Sequence, residues 1–289
     1  MMMPGVISDL VSVCKLRIGY AIMITGLAGL AITPGPLPEI WKIFLFSIAI
    51  LMSSASAGAF NQFVERDLDA TMKRTRNRPF VTGRFQADKY WLTVIGLMLL
   101  LSVMVTSLAI NSVAALYVFL GAFTYGVVYT VWLKQRTWLN IVIGGLSGSF
   151  AVLGGAAVVD PSLSPAPILL AIVLFLWTPP HFWSLAFVFA NDYKQAGVPM
   201  LPAVFKKPVA AKIIFAHTLA LLIVSILPFF YGLGWIYLLG ALSGGLYFLK
   251  TSFDLVRQPS IEIARINFHA SLIQLTLLLC ASVLDVLFI

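Results

Sequence analysis

The chain has 289 residues, 60% of them hydrophobic and 10% charged, with a formal net charge of +8 and a mean hydropathy of +0.98. Soluble domains carry about 45–50% apolar residues, so the composition excludes that class, and with it a nucleic-acid-binding reading of the positive charge. Two cysteines, Cys14 and Cys280, leave no CxxC metal or redox pair.

A bilayer core takes about 20 helical residues. Apolar runs near that length fall at 18–33, 41–64, 91–110, 113–133, 138–159, 167–190, 213–231, 235–249 and 268–289. The expectation is an all-α polytopic membrane protein with nine transmembrane helices around a central cavity capped by inner-face loops. The first run follows Lys15 and Arg17 like a signal peptide, but with eight runs behind it, it reads as a span. In the fifth run, Gly144 with Gly148 and Gly145 with Ser149 stand four apart, a small-xxx-small stripe for close helix packing.

Nine spans put the termini on opposite sides. With the N-terminus inside, 18 of the 19 lysines and arginines face inward and only Lys42 lies outside, as the positive-inside rule requires. The charge then forms a rim toward anionic lipids and anionic substrates. Two inner loops, 65–90 and 191–212, are long and polar and stand four spans apart. They divide a single domain, 1–289, into halves of about 15–134 and 138–250 plus a last helix, 268–289. Function belongs on the inner face between these loops.

The first loop opens with NQFVERDLDATMKRTRNRPF. Asn61, Glu65 and Asp69 recur every four residues and share one helix face, while Asp67 points elsewhere. Aligned carboxylates at a membrane entrance repel one another unless a hard cation sits between them, and Mg²⁺ favours oxygen ligands shared with substrate phosphates. Lys73, Arg74 and Arg78 follow, and an arginine fork suits phosphate oxygens. The structural alternative is a rim of salt bridges, with Asp69 paired to Lys73.

The second loop reads FLWTPPHFWSLAFVFANDYKQAGVPMLP. Pro179 and Pro180 are expected to break or kink span six and open a cavity. His181, beside Trp177, Phe182 and Trp183, lies about ten residues inside the rim, a depth at which an ionisable group marks a functional site. Asp192, Tyr193 and Lys194 stand at the mouth, and Tyr129, Lys134 and Arg136 add to it after span four. His217 and His269 read as structural.

These segments, NQFVERDLDATMKRTRNRP with WTPPHFWSLAF and NDYKQAGVPMLP, resemble the protoheme IX farnesyltransferases, or heme O synthases, a branch of the UbiA-type intramembrane prenyltransferases. The resemblance covers nearly the whole chain. It implies transfer of a farnesyl group from farnesyl diphosphate to a vinyl group of heme B. Heme is then substrate and Mg²⁺ the cofactor, held by Asn61, Glu65, Asp69 and Asp192 as the catalytic set. Arg74 and Arg78 would assist, and His181 would contact heme. One departure stands out: the superfamily's second motif has two aspartates four apart, whereas Val188 and Ala196 flank Asp192 here. The implied setting is a bacterial inner membrane, with N-terminus and loops cytoplasmic, the C-terminus outside, and heme-using or heme A-making membrane proteins as neighbours. A quinone-precursor prenyltransferase is the alternative acceptor class. A secondary transporter is the alternative of another kind, supported by the broken span and pseudo-halves, but its ion-coupling carboxylates should lie near the midplane, where the expected spans place no Asp or Glu.

Overall fold

The computed structural model describes residues 4–288, and among them the secondary structure is all helical. The chain opens with α1 (Pro4–Val13) and α2 (Leu16–Ala31). Then come α3 (Ile40–Val64), a single turn α4 (Arg66–Ala70) and α5 (Lys89–Ala109). Next, α6 (Ser112–Phe123) runs on as a π-helix over Thr124–Leu133, and α7 (Asn140–Gly144) and α8 (Leu146–Val159) form one rod interrupted at Gly145. The second half holds α9 (Pro165–Val188), the short α10 (Ala190–Gln195) and α11 (Leu201–Val204), then α12 (Lys207–Ile226), α13 (Trp235–Arg257) and α14 (Ile261–Phe288).

Seven of these helical rods are long and apolar enough to cross a membrane, and α1 with α2, bent by 49°, makes an eighth as a broken span. The remaining expected span, 235–249, lies in α13, whose 23 residues are long enough but diluted by glycine, tyrosine and Lys250. The helices pack in sequence, α2 on α3, α3 on α5, α5 on α6, α6 on α8, α8 on α9, α9 on α12, and α12 through α13 to α14. Contacts of α14 with α2 and α9 close the ring.

The bundle is drawn tight by glycine, both within the expected stripe, where a Cβ on Gly144 or Gly145 would lie 2.9 Å from Tyr129 or Thr178, and beyond it. Nothing lies within 4 Å of a Cβ placed on Gly148, whereas one on Gly155 of α8 would overlap the Gly26 carbonyl of α2, and one on Gly29 would overlap the Val152 carbonyl. These are backbone-to-backbone approaches, which side-chain adjustment cannot relieve. Gly155→Ala should therefore lower stability by at least about 3 kcal/mol, the upper end for overpacking, while Gly148→Ala is neutral. Thermal unfolding in detergent checks this, and equal melting midpoints for the two variants would remove the argument.

Span six departs from expectation. Pro179 and Pro180 lie inside a continuous helix, so no break opens there. Proline removes backbone donors at a cost of roughly 3 kcal/mol in an isolated helix. Hydroxyl groups and neighbouring helices sustain such sites in membranes. Here α8, α12 and α14 pack around α9; the hydroxyls of Thr178 and Ser184 donate to the carbonyls of Leu174 and Pro180, and not to those of Phe175 and Leu176, whose donors the prolines remove. Two open grooves lie on the flanks. One of about 330 Å³ runs along Trp41, Phe44 and Val105, and one of about 390 Å³ along Tyr117, Phe150 and Phe175; both are apolar-lined.

Candidate active site

The end of the bundle where α3 finishes gathers the charged residues. Helix α3 passes through Glu65 (φ −88°, ψ 5°) into α4 with hardly a change of direction in hydrogen bonding: Glu65 N–H donates to Asn61 O, and Asp69 N–H to Glu65 O at 2.7 Å. Asn61, Glu65 and Asp69 consequently keep their common face and are all buried, while the Asp67 side chain is 90% exposed. The stripe is real, and the partners it finds are distant in sequence. Lys134 Nζ reaches Glu65 Oε2 at 2.5 Å, and Arg78 Nη1 reaches Asp69 Oδ2 at 2.5 Å. Asp69 thus pairs with Arg78 and not with the exposed Lys73.

Each cation is placed by a local device. Lys134 follows the π-helix, whose wider turn is continued by its own N–H donating to Tyr129 O. The same turn stacks Tyr125 on Tyr129, with ring centroids 5.6 Å apart. A π segment inside an α-helix is frequent at functional sites. Arg78 is carried by a loop folded back under Asp69, where Thr75 Oγ1 donates to the Asp69 carbonyl. Phe80 anchors that loop among Phe63, Phe85 and Trp91.

Lys15 was the residue that sequence reasoning missed. It sits in the break between α1 and α2 with a left-handed backbone, φ 47° and ψ 42°. Its Nζ donates to Asn61 Oδ1 at 2.5 Å and to the Tyr125 hydroxyl at 2.7 Å. Asn61 Nδ2 in turn donates to Thr130 Oγ1. The available signal was a lysine directly before the first span, which the charge asymmetry explained too easily.

The fit to a hard cation rests on two atoms. Glu65 Oε1 and Asp69 Oδ1 are buried and have no hydrogen-bond partner. Unpaired buried carboxylate oxygens are costly, and a divalent ion with oxygen ligands would satisfy both. Asp192 does not join them: among the described residues no group of three or more His, Cys, Asp or Glu side chains is placed to hold a metal. The physical reason is that Asp192 belongs to α10, a separate turn, and is half-buried. Its neighbour Tyr193 does face the site, with Arg74 Nη2 3.5 Å from its hydroxyl, a marginal contact. Arg74 also lies 5.9 Å from the Phe189 ring. Lys73, Arg136 and Lys194 are exposed.

His181 occupies a second cluster on α9 and α14. Its ring is stacked between Trp177 at 4.2 Å and Phe268 at 4.6 Å, with Phe182 edge-on at 4.9 Å. Trp177 Nε1 donates to the Ser271 carbonyl. The Trp177 face turned to His181 is therefore occupied and does not serve as a free platform. Trp183 points the other way, fully buried against Trp138 and His217, because successive helix positions diverge by about 100°. His217 and His269 bond the carbonyls one turn back, Ile213 and Arg265.

The fold is that of the intramembrane prenyltransferases. The chain matches the structure of a digeranylgeranylglyceryl phosphate synthase with a TM-score of 0.82 at 18% identity, covering 98% of this chain and 99% of that one. It also matches a UbiA homolog from Archaeoglobus fulgidus bound to DMAPP and Mg²⁺, with a TM-score of 0.71 at 15% identity over 93% and 99% of the two chains. Residues 22–273 match the UbiA prenyltransferase family, and the chain belongs to it. Relatives include protoheme IX farnesyltransferase 2 of Paramagnetospirillum magneticum, 53% identical over 96% of both chains. Another is the protoheme IX farnesyltransferase of Granulibacter bethesdensis, 38% identical over 98% of this chain and 92% of that one.

Proposed function

We propose that this membrane enzyme transfers a farnesyl group from farnesyl diphosphate to a vinyl group of heme B. The observation that carries the donor half is the pair of unpartnered carboxylate oxygens on Glu65 and Asp69, set among Lys15, Lys134 and Arg78. The acceptor half rests on the relative 53% identical over nearly the full length. A diphosphate brings negative oxygens to the cations, and Asn61, Glu65 and Asp69 offer oxygen ligands to Mg²⁺. When bound, Mg²⁺ would neutralise the departing diphosphate.

The chain's own residues do the rest. Lys15, Arg74, Arg78 and Lys134 hold diphosphate oxygens as the bond from the farnesyl C1 to oxygen lengthens. The stacked faces of Tyr125 and Tyr129 lie beside the forming allylic cation, favoured by cation–π attraction. The heme vinyl carbon bonds to C1; water adds to the resulting benzylic-type cation and loses a proton, leaving a hydroxyl group. Heme B, farnesyl diphosphate and water thereby become heme O and diphosphate.

The reading extends to nine spans, α13 included, around a cavity between the charged end and the His181 cluster. It makes 1–289 one domain of two four-span halves plus a last helix. The charged end is cytoplasmic in a bacterial inner membrane, and heme-using or heme A-making proteins are its neighbours. Asp192 is proposed to approach the metal only with substrate bound.

The direct test is purified protein in lipid with heme B, farnesyl diphosphate and Mg²⁺, read by mass spectrometry for a heme carrying one hydroxyfarnesyl unit. Absence of that product, with prenylation of a quinone precursor instead, would overturn the acceptor. Arg78→Lys tests the donor side. Lysine keeps the charge and cannot hold Asp69 and a phosphate oxygen through one planar fork, so KM for farnesyl diphosphate should rise about tenfold or more. An unchanged KM would leave Arg78 a structural partner of Asp69.

A further inference from the structure

The His181 cluster fixes a protonation pattern that the stacking alone does not require. Ser271 Oγ lies 2.6 Å from the Phe268 carbonyl and 2.6 Å from His181 Nδ1. A serine hydroxyl carries one proton. Two oxygens at 2.6 Å need that proton between them, since a carbonyl can only accept. The Ser271 hydroxyl therefore donates to Phe268 O and has only lone pairs left for the histidine. Nδ1 must then be the protonated nitrogen, donating to Ser271, and Nε2 carries the lone pair.

That is the tautomer of a metal-ligating imidazole, held by a hydrogen bond at its far nitrogen. Nε2 has no hydrogen-bond partner among the described residues and is not one of the buried polar atoms sealed without one. Both ring faces are clamped, by Trp177 and Phe268, so the nitrogen edge is the part of the ring left to meet a ligand. The alternative role, bonding a carbonyl freed by Pro179 or Pro180, is not what His181 does, because its bonded nitrogen goes to Ser271.

We propose that Ser271 is a positioning residue that locks His181 with Nε2 as an axial ligand for the iron of a porphyrin substrate. The proposal rests on the heme reading of the acceptor. It differs from a packing role in depending on the iron: a ligand held by its partner is felt by a metalloporphyrin and not by the same ring without metal.

The experiment measures binding of heme B and of iron-free protoporphyrin IX to the full chain in detergent, for wild type, Ser271→Ala and His181→Ala, by absorbance and fluorescence titration. Mg-dependent binding of farnesyl diphosphate serves as the control for folding. Ser271→Ala should weaken heme B binding about tenfold or more, the usual cost of losing such a partner, and shift its Soret band, with protoporphyrin IX affinity unchanged. His181→Ala should lose the ligated Soret band, and added imidazole should restore it. Equal loss for both porphyrins, or no loss for either, overturns the ligand role while leaving farnesyl transfer by the wild type to be scored separately by mass spectrometry. A wild type that neither binds nor farnesylates heme B sinks both readings.

Discussion

Asp69→Asn is expected to reduce transfer by about 10²–10³-fold or more, the scale of removing one preorganised electrostatic group, while the protein stays folded. The amide keeps the shape of the carboxylate but removes the charge and turns one oxygen into a donor that repels both Arg78 and any divalent ion. Glu65→Gln should behave alike through Lys134, and the double variant should lose little more, because groups that act as a unit are not additive. Alanine is the poorer test. Asp69 is buried and Arg78 partly so, its side chain 18% exposed, and deleting one member of such a pair strands the other at a cost of up to about 3–5 kcal/mol where burial is complete. Asp67→Ala supplies the control, since that side chain is exposed beside Arg66, 3.9 Å away. Product formation and melting temperature measured together decide the matter. Full activity in Asp69→Asn, or equal loss in Asp67→Ala, would reduce the stripe to a general patch of charge.

The part of this site legible in the sequence is the part governed by local period. Asn61, Glu65 and Asp69 could be placed on one face because i, i+4 spacing survives the junction of α3 and α4. Their partners could not. Lys134 is 69 positions from Glu65, and it meets the carboxylate only because a π segment rotates the end of that span, a register that hydropathy does not encode. The all-helical membrane fold was legible from apolar runs. The Pro179-Pro180 pair misled because a proline rule for isolated helices ignores the packing of α8, α12 and α14 around α9. Gly155 was missed for a related reason: its importance lies in what another helix brings against it.

Lys15→Gly should separate stability from activity in opposite directions. A left-handed backbone costs an ordinary residue roughly 1–2 kcal/mol, and glycine adopts it freely. Lys15 holds that conformation, φ 47°, at the bend where α1 turns into α2 and where Gly58 of α3 brings its own backbone close to Cys14 and Lys15. Strain of this kind persists where the surroundings enforce it and is concentrated at functional sites. Its effect here is to aim the ammonium at Asn61 and Tyr125, at the first residue of the stripe. Glycine would relieve the backbone and remove the ammonium, so the variant should melt at the wild-type temperature or above while transfer falls about 10²-fold or more. Lys15→Met retains the strain and most of the side-chain volume, and should be as inactive without the gain in stability. Thermal unfolding beside single-turnover transfer reads both quantities. Wild-type rates in Lys15→Gly would show that the bend serves only to join two helices, and the diphosphate would then need no cation from the N-terminal segment.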